Sequence, residues 1–215
     1  MKNFLVLTII LMLGACGRVV AQDAAAASKR ANQQYVLFES ERDKGTNVTG
    51  MYSYLLDSYE NFMKVVEAPD NGQYLSGAKN RLRAMYPYLL NGAVYYSEQK
   101  QPSKALDFAA AYIEMPRLKI FQSELLPKDN RYASVVYYAA VSAYNLQKYS
   151  QALKYFQEYL STGTDTQQKD CYVYMNMIYQ SQKNYSEQER VLEEAIAKYP
   201  VSLDFLYNLV NVDIA

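Results

Sequence analysis

The chain has 215 residues, of which half are hydrophobic and a fifth are charged, and its 22 Lys and Arg balance 22 Asp and Glu. This composition is typical of a folded globular protein, and the lack of a basic excess excludes nucleic acid as an expected partner. The sequence has no histidine and two cysteines, which excludes histidine-based catalysis, histidine metal sites and a thiolate zinc site within this chain. We therefore expect no metal and no cofactor.

Residues 1–21 have the features of an export signal. Lys2 precedes an apolar run of about a dozen residues, which is too short to cross a bilayer. Cleavage after Ala21 and a lipobox ending at Cys16 are both consistent with this segment, and the second would attach lipid to Cys16. Both predict an exported protein in the periplasm or outer membrane of a Gram-negative-type bacterium. In either case Cys171 lacks an intrachain disulfide partner.

Residues 22–85 are predicted to form an N-terminal helical cap. The spacing of apolar residues predicts helices over Ala24–Arg42 and Met51–Val66. A further helical pattern covers Tyr74–Tyr96, and Pro87 inside it is expected to end or kink the helix near Met85.

Two later stretches, 133–166 and 169–202, superpose residue by residue and share a spacing of bulky and small residues. In the first stretch the shared positions hold Val136, Ala139, Ala140, Ala143, Tyr149, Ala152, Phe156, Tyr159 and Thr164. In the second they hold Tyr172, Met175, Asn176, Tyr179, Tyr185, Gln188, Leu192, Ala195 and Pro200. Small residues allow two helices to approach closely, and the larger ones fill the space between pairs.

This spacing resembles the tetratricopeptide repeat (TPR) family. The resemblance implies an all-α, right-handed α-solenoid of antiparallel helix pairs, with protein binding as its expected role. The alternative is an unrelated helical bundle with tyrosine-rich faces. The second repeat departs from the family pattern at two positions that should be small, which hold Asn176 and Gln188. We predict that these amides share a hydrogen bond; the alternative is that both are partly solvated.

Three further segments complete the predicted repeat region, 86–215. Residues 86–115 form a weak repeat, 116–131 an insertion, and 203–215 a partial repeat that begins 34 residues after Lys169. The insertion is rich in apolar residues, so it either folds back as a plug over the stack or forms one wall of a binding groove. The partial repeat either caps the stack or continues into further repeats, and its apolar face favours continuation.

In TPR proteins the first helices of successive units line a concave groove, and the resemblance transfers this groove to named positions. The candidate groove residues are Leu90, Val94, Tyr137, Val141, Tyr144, Asn145, Val173 and Met177. Ser97 and Glu98 occupy equivalent positions in the weak repeat. The set lacks Lys and Arg, so recognition of a terminal carboxylate is not expected, and an apolar or amphipathic segment fits better. The alternative is that Leu90, Val94 and Val141 pack beneath the insertion or the cap.

The sequence thus favours a noncatalytic protein–protein interaction scaffold or adaptor in the bacterial cell envelope. Its partner would be another protein or a peptide, with membrane attachment only through lipid on Cys16. The alternative is a substrate-binding module, for a glycan or a peptide, in an outer-membrane uptake or assembly system. An enzyme that uses carboxylates is the third possibility, but Glu193 and Glu194 beside Lys198 have the pattern of a solvated helix face, so we expect no catalytic residues.

Overall fold

The computed structural model describes residues 24–69, 71–124, 126–163 and 166–214, and these residues contain helices and turns but no β-strand. The predicted signal segment 1–21, with Cys16, lies outside the described residues. Within the described ranges, no helix combines the length and apolar character needed to cross a membrane. The predicted all-α fold is confirmed.

The described helices follow one another with short connections, except for the longer segment 115–131 between α4 and α5. In chain order they are α1 (24–44), α2 (Val48–Glu67), α3 (Gly72–Glu98), α4 (Pro102–Glu114), α5 (Tyr132–Asn145), α6 (Tyr149–Ser161), α7 (Gln168–Ser181), α8 (Tyr185–Lys198) and α9 (Leu203–Ile214). Two 3-10 turns, Met115–Arg117 and Lys119–Phe121, follow α4. The helices predicted in 24–42 and 51–66 are present and extend a few residues further.

Helix α3 continues through Pro87, so the proline does not end the helix, and the predicted alternative, a kink, stays a prediction. Proline lacks the N–H that would bond the carbonyl of Arg83 one turn earlier. Pro87 and Arg83 are both exposed, so water can reach the unbonded carbonyl. The helix tolerates the proline because the missing hydrogen bond lies on its solvent side.

The chain divides into two compact units. The first contains the described residues up to Gly92 together with those of Glu114–Leu126. Its core includes Phe38 and Leu55, which are fully buried. The buried Ser58 hydroxyl of α2 donates a 2.9 Å hydrogen bond to the Ala31 carbonyl of α1. A polar side chain in this core is thus satisfied by the neighbouring helix.

Residues 116–124 and Leu126 of the insertion belong to the first unit, and residues 127–131 belong to the second. Phe121 is fully buried, and the Lys79 ammonium of α3 lies 5.9 Å from the centre of its ring. Glu124 forms a 2.7 Å ion pair with Lys79 and a second ion pair with Arg83. The burial of Phe121 and these ion pairs fix this segment against α3 within the first unit. The plug over the stack and the groove wall both stay predictions.

The second unit contains Ala93–Ile113 and the described residues from Pro127 onward, and it is built from helix pairs. Helices α5 and α6 pack through small residues that are completely buried, namely Ala139, Ala140, Ala143 and Ala152. Between α6 and α7 the rings of Phe156 and Tyr174 stack at 5.2 Å with 9° between their planes. These helices show the predicted packing: small residues lie between the two helices of a pair, and large residues lie between successive pairs.

Each of three helix–helix turns in this unit contains one residue with a left-handed backbone. Lys100, Gln147 and Lys183 have φ values of 55°, 58° and 54°. In each turn the next N–H bonds a carbonyl five residues back: Gln101 to Tyr96, Lys148 to Ala143 and Asn184 to Tyr179, all at 2.9–3.0 Å. This hydrogen bond closes the helix end, so the three turns repeat one geometry.

Candidate binding cleft

A cleft of about 500 Å³ lies within the second unit, between the end of α3 and the second half of α5. Its lining residues are Val94, Ser97, Glu98, Lys100, Gln101, Pro102, Tyr138, Val141, Ser142 and Asn145. The volume is in the range of sites that hold a small molecule or a few side chains of a partner.

Helix periodicity and the first left-handed turn position these side chains. Tyr138, Val141 and Asn145 are three and four residues apart on α5, so they share one face of that helix. On the other side, Val94 belongs to α3, and the turn at Lys100 reverses the chain into Pro102, the first residue of α4. Proline suits this position because the first helical N–H has no partner within the helix.

The cleft lining has an apolar part and a polar part. Tyr138 is 49% exposed, and Val94 and Val141, which line the same cleft, are half-buried. The polar part includes Asn145, Gln101 and the opposite charges of Glu98 and Lys100. The balance of charge favours an uncharged or mixed ligand surface over a strongly acidic or basic one.

Three of the candidate groove residues line this cleft: Val94, Val141 and Asn145. The structure corrects Leu90, which is 1% exposed and belongs to the core of the first unit. Leu90 lies on the side of α3 that faces the core of the first unit. This agrees with the alternative interpretation of Leu90 as a packing residue. A ligand in an open groove could not contact it.

Tyr137 and Tyr144 lie outside the cleft lining and serve as packing residues. The Tyr137 ring is 5.5 Å from that of Tyr159, and its hydroxyl donates to the Asp170 carboxylate at 3.4 Å. Burial, reinforced by that carboxylate, raises the pKa of Tyr137. The Tyr144 ring meets that of Tyr174 edge-on at 4.9 Å. Both tyrosines therefore join α5 to the following helices.

Val173 and Met177 form a separate exposed strip on α7. Their exposed fractions are 37% and 43%, and their separation of four residues places them on one helix face. They do not line the cleft. The two residues remain accessible to a partner that extends beyond it.

Sequence reasoning missed Tyr138, Ser142 and the turn residues from Lys100 to Pro102. Tyr138 precedes Val141 by three residues, so the helical period could have placed it on the same face. The family pattern instead selected Tyr137, its neighbour, which the structure turns toward Phe156 at 6.5 Å. The contribution of the turn depends on the approach of α3 to α5, which the spacing within one helix does not contain.

The groups with strongly shifted pKa values lie elsewhere. Burial raises the pKa of Cys171 to about 12, and hydrogen bonds from Arg131 lower the pKa of Asp129 to about 2. Neither group lines the cleft. Glu194, one of the two adjacent carboxylates of α8, forms a 2.5 Å ion pair with Arg190 on an exposed face of that helix. Among the described residues, no group of three or more His, Cys, Asp or Glu is arranged to hold a metal ion.

A solved structure of a tetratricopeptide repeat protein from Parabacteroides merdae is similar to this chain. The two sequences are 16% identical, the alignment covers 86% of this chain and 72% of that one, and the TM-score is 0.38. No protein-family model and no curated protein matches the chain. The description of these helices as TPR-like pairs rests on their own spacing and packing.

Proposed function

We propose that this chain is a noncatalytic protein-interaction adaptor that holds an apolar side chain of a partner segment in the cleft of its second unit. The observation that carries the proposal is the exposed side chain of Tyr138 in a cleft that Val94 and Val141 also line. Partly exposed aromatic rings in a preformed cleft are the usual anchors of protein interfaces. The predicted export signal in residues 1–21 supports a role in a bacterial cell envelope, with or without a lipid on Cys16.

Site-specific photocrosslinking in the native envelope tests this proposal and does not require the partner to be identified beforehand. A photoreactive phenylalanine analogue at position 138 should give one discrete crosslinked product. Tyr185, which is 43% exposed on α8, is the matched control position and should not give that product. The substitution Val141→Asp should remove the crosslinked product, because it places a charge in the apolar part of the cleft lining. Equal crosslinking at both positions, or none at position 138, would overturn the proposal.

A substrate-binding function is the second candidate, and Tyr138 again is the reason to consider it. The exposed Tyr138, the amide of Asn145 and the hydroxyl of Ser97 line one cleft and offer the stacking surface and hydrogen-bonding groups that a sugar requires. Thermal unfolding in the presence of a panel of glycans separates the two functions. The adaptor proposal expects no change in Tm; a rise that Tyr138→Ala abolishes would assign the cleft to glycans.

A further inference from the structure

Ser142 of α5 places a polar side chain at the most buried position of the cleft lining. It is 8% exposed, whereas the other residues that line the cleft are half-buried or exposed. Its side chain forms no hydrogen bond with another described residue. A largely buried hydroxyl without a hydrogen-bond partner lowers the stability of a folded chain, so its presence at this position needs a physical reason.

Comparison with other serines shows that the Ser142 hydroxyl is open to the cleft. Ser58, Ser161 and Ser181 each donate a hydrogen bond to a backbone carbonyl at 2.6–2.9 Å, which is the usual arrangement for a serine in a helix. The oxygen of Ser202 is unbonded and fully covered, whereas that of Ser142 is not fully covered. The hydroxyl of Ser142 is therefore available to a group that enters the cleft.

The repeat itself does not require a hydroxyl at this position. Ser142 is the tenth residue of the stretch 133–166, and Ile178 is the tenth residue of the stretch 169–202. Ile178 is 0% exposed, so α7 fills the equivalent position with an apolar side chain. Packing between helices therefore gives no reason for a polar atom at position 142, whereas contact with a bound group does.

The surroundings of Ser142 define the chemistry of that group. Tyr138 lies four residues earlier on α5, so the two side chains share one helix face at about 6 Å along the axis. Val94 and Val141 add apolar surface to the same lining. An aromatic side chain matches these walls, because rings pack well on tyrosine and on aliphatic groups. Its tip must be polar but uncharged, since one hydroxyl does not compensate for the desolvation of a charge.

We propose that the cleft binds a tyrosine or tryptophan side chain of the partner segment, with the polar tip of that ring hydrogen-bonded to the Ser142 hydroxyl. This inference rests on the proposed function and names the anchor residue of its partner. The phenol O–H and the indole N–H both donate, and the serine oxygen accepts. Glu98 and Lys100, the charged lining residues, are exposed and of opposite sign, so they do not favour a charged anchor over a neutral one.

Selection from a displayed library of random peptides tests this proposal without a known partner. Peptides that bind the unaltered protein but not Val141→Asp are assigned to the cleft, and they should share one tyrosine or tryptophan. Selection on Ser142→Ala, which removes only the hydroxyl, should shift that position toward phenylalanine and leucine. Ser150→Ala is the matched control, because Ser150 is exposed on α6 outside the cleft lining, and it should select the same peptides as the unaltered protein.

A double-mutant cycle measures the hydrogen bond itself. Replacing the tyrosine of a selected peptide by phenylalanine should weaken binding to the unaltered protein by about two- to ten-fold, the range for one neutral hydrogen bond. For a selected tryptophan, the benzothienyl analogue, which lacks the N–H, takes the place of phenylalanine. The same peptide change should have little effect on binding to Ser142→Ala. The urea midpoint of free Ser142→Ala should stay the same or rise, because the substitution removes an unpaired hydroxyl.

The outcomes separate this inference from the proposed function. If no selected peptide depends on Val141, the proposed function fails and the inference fails with it. Peptides that depend on Val141 but are anchored by leucine, isoleucine or phenylalanine would leave the proposed function standing and overturn the inference. An equal loss from the peptide change with the unaltered protein and with Ser142→Ala would exclude Ser142 as the partner of the ring tip. A lower urea midpoint of Ser142→Ala would assign the hydroxyl to folding and also overturn the inference.

Discussion

Gln188 on α8 donates a 2.9 Å hydrogen bond from Nε2 to Oδ1 of Asn176 on α7, and both side chains are buried. This contact confirms the predicted pairing of the two amides. It compensates for the replacement of the small residues that usually let paired helices approach. The compensation is incomplete, because the Gln188 Oε1 is buried and has no hydrogen-bond partner among the described residues.

This hydrogen bond predicts that a single substitution lowers the free energy of unfolding, whereas replacement of both residues leaves it nearly unchanged. Asn176→Ala should lower the free energy of unfolding by about 1–3 kcal/mol, because it leaves a buried Gln188 donor unpaired. Replacing both residues, Asn176→Leu with Gln188→Met, should be close to neutral because no polar group remains to be desolvated. Urea unfolding followed by circular dichroism measures all three stabilities. A double variant at least as unstable as the single one would contradict the pairing as the source of the effect.

The left-handed turns predict a stabilising glycine substitution. At Lys183, with φ of 54°, glycine removes the steric penalty of a side chain in this region, about 1–2 kcal/mol. The greater freedom of glycine in the unfolded chain offsets part of this gain, so Lys183→Gly should stabilise the protein by about 0.5 kcal/mol. Gln147→Gly should raise the free energy of unfolding by a similar amount. The gains from the two substitutions should add, because they lie in separate turns.

Lys183→Ala is the control for the glycine substitutions. Alanine removes the same lysine side chain but keeps a Cβ atom, so the left-handed backbone remains strained. It should give no stabilisation in the same urea titration. If alanine and glycine stabilise equally, the lysine side chain itself and not its backbone conformation is responsible.

The ion pairs of Glu124 predict a pH dependence of stability. Hydrogen bonds from Lys79 and then Arg83 hold the pKa of Glu124 below its usual value of 4.5 in the folded chain. The ion pairs therefore stabilise the folded chain fully at pH values above 4.5, and this stabilisation is lost as the pH falls through the lowered pKa of Glu124. Glu124→Gln should therefore lower the urea midpoint at neutral pH. On acidification, the urea midpoint of this variant should fall less than that of the unaltered protein.

The matched control is Glu193→Gln, which removes one exposed carboxylate from α8. It should leave the difference between the neutral and acidic urea midpoints unchanged. Hydrogen exchange adds a local readout, because amides in 118–124 should exchange faster at neutral pH in Glu124→Gln. Unchanged exchange in this segment would show that burial of Phe121, rather than the ion pairs, fixes the insertion.

The reactivity of the Cys171 thiol should report the unfolding of α7 in the second unit. The thiol is fully buried, and desolvation, followed by the charge of Asp170, raises its pKa from 9.0 to about 12. At pH 9.0 an unfolded chain would present half of this thiol as the reactive thiolate, whereas the folded chain keeps it protonated and covered. In a Cys16→Ala background, labelling with a thiol reagent should be slow and should accelerate when urea unfolds α7.

Asn176→Ala should also accelerate the labelling of Cys171, since it weakens the α7–α8 pair that covers the thiol. Glu124→Gln, which alters the first unit, should leave the labelling rate unchanged. Fast labelling of the unaltered protein in the absence of urea would contradict the burial of this thiol.

The sequence by itself determined the helices, their pairing and the Asn176–Gln188 contact. These follow from a local period, because residues three and four apart on one helix must share a face and small residues must lie where two helices approach. The resemblance to TPR proteins, and not this period, placed Val94, Val141 and Asn145 along one groove, and all three line the cleft. The pattern also predicted that Pro87 would end or kink α3, and the helix does not end there, because Pro87 and Arg83 lie at exposed positions where a missing hydrogen bond is tolerated.

The tertiary structure alone decided which groove candidates are accessible. Leu90 is buried, Tyr137 and Tyr144 pack against neighbouring rings, and Tyr138 is the aromatic residue left open in the cleft. Exposure of a side chain depends on the distance and rotation between helices that are far apart in the chain. A periodic pattern gives the face of a helix on which a residue lies, but the packing of the next helix determines whether that face stays open.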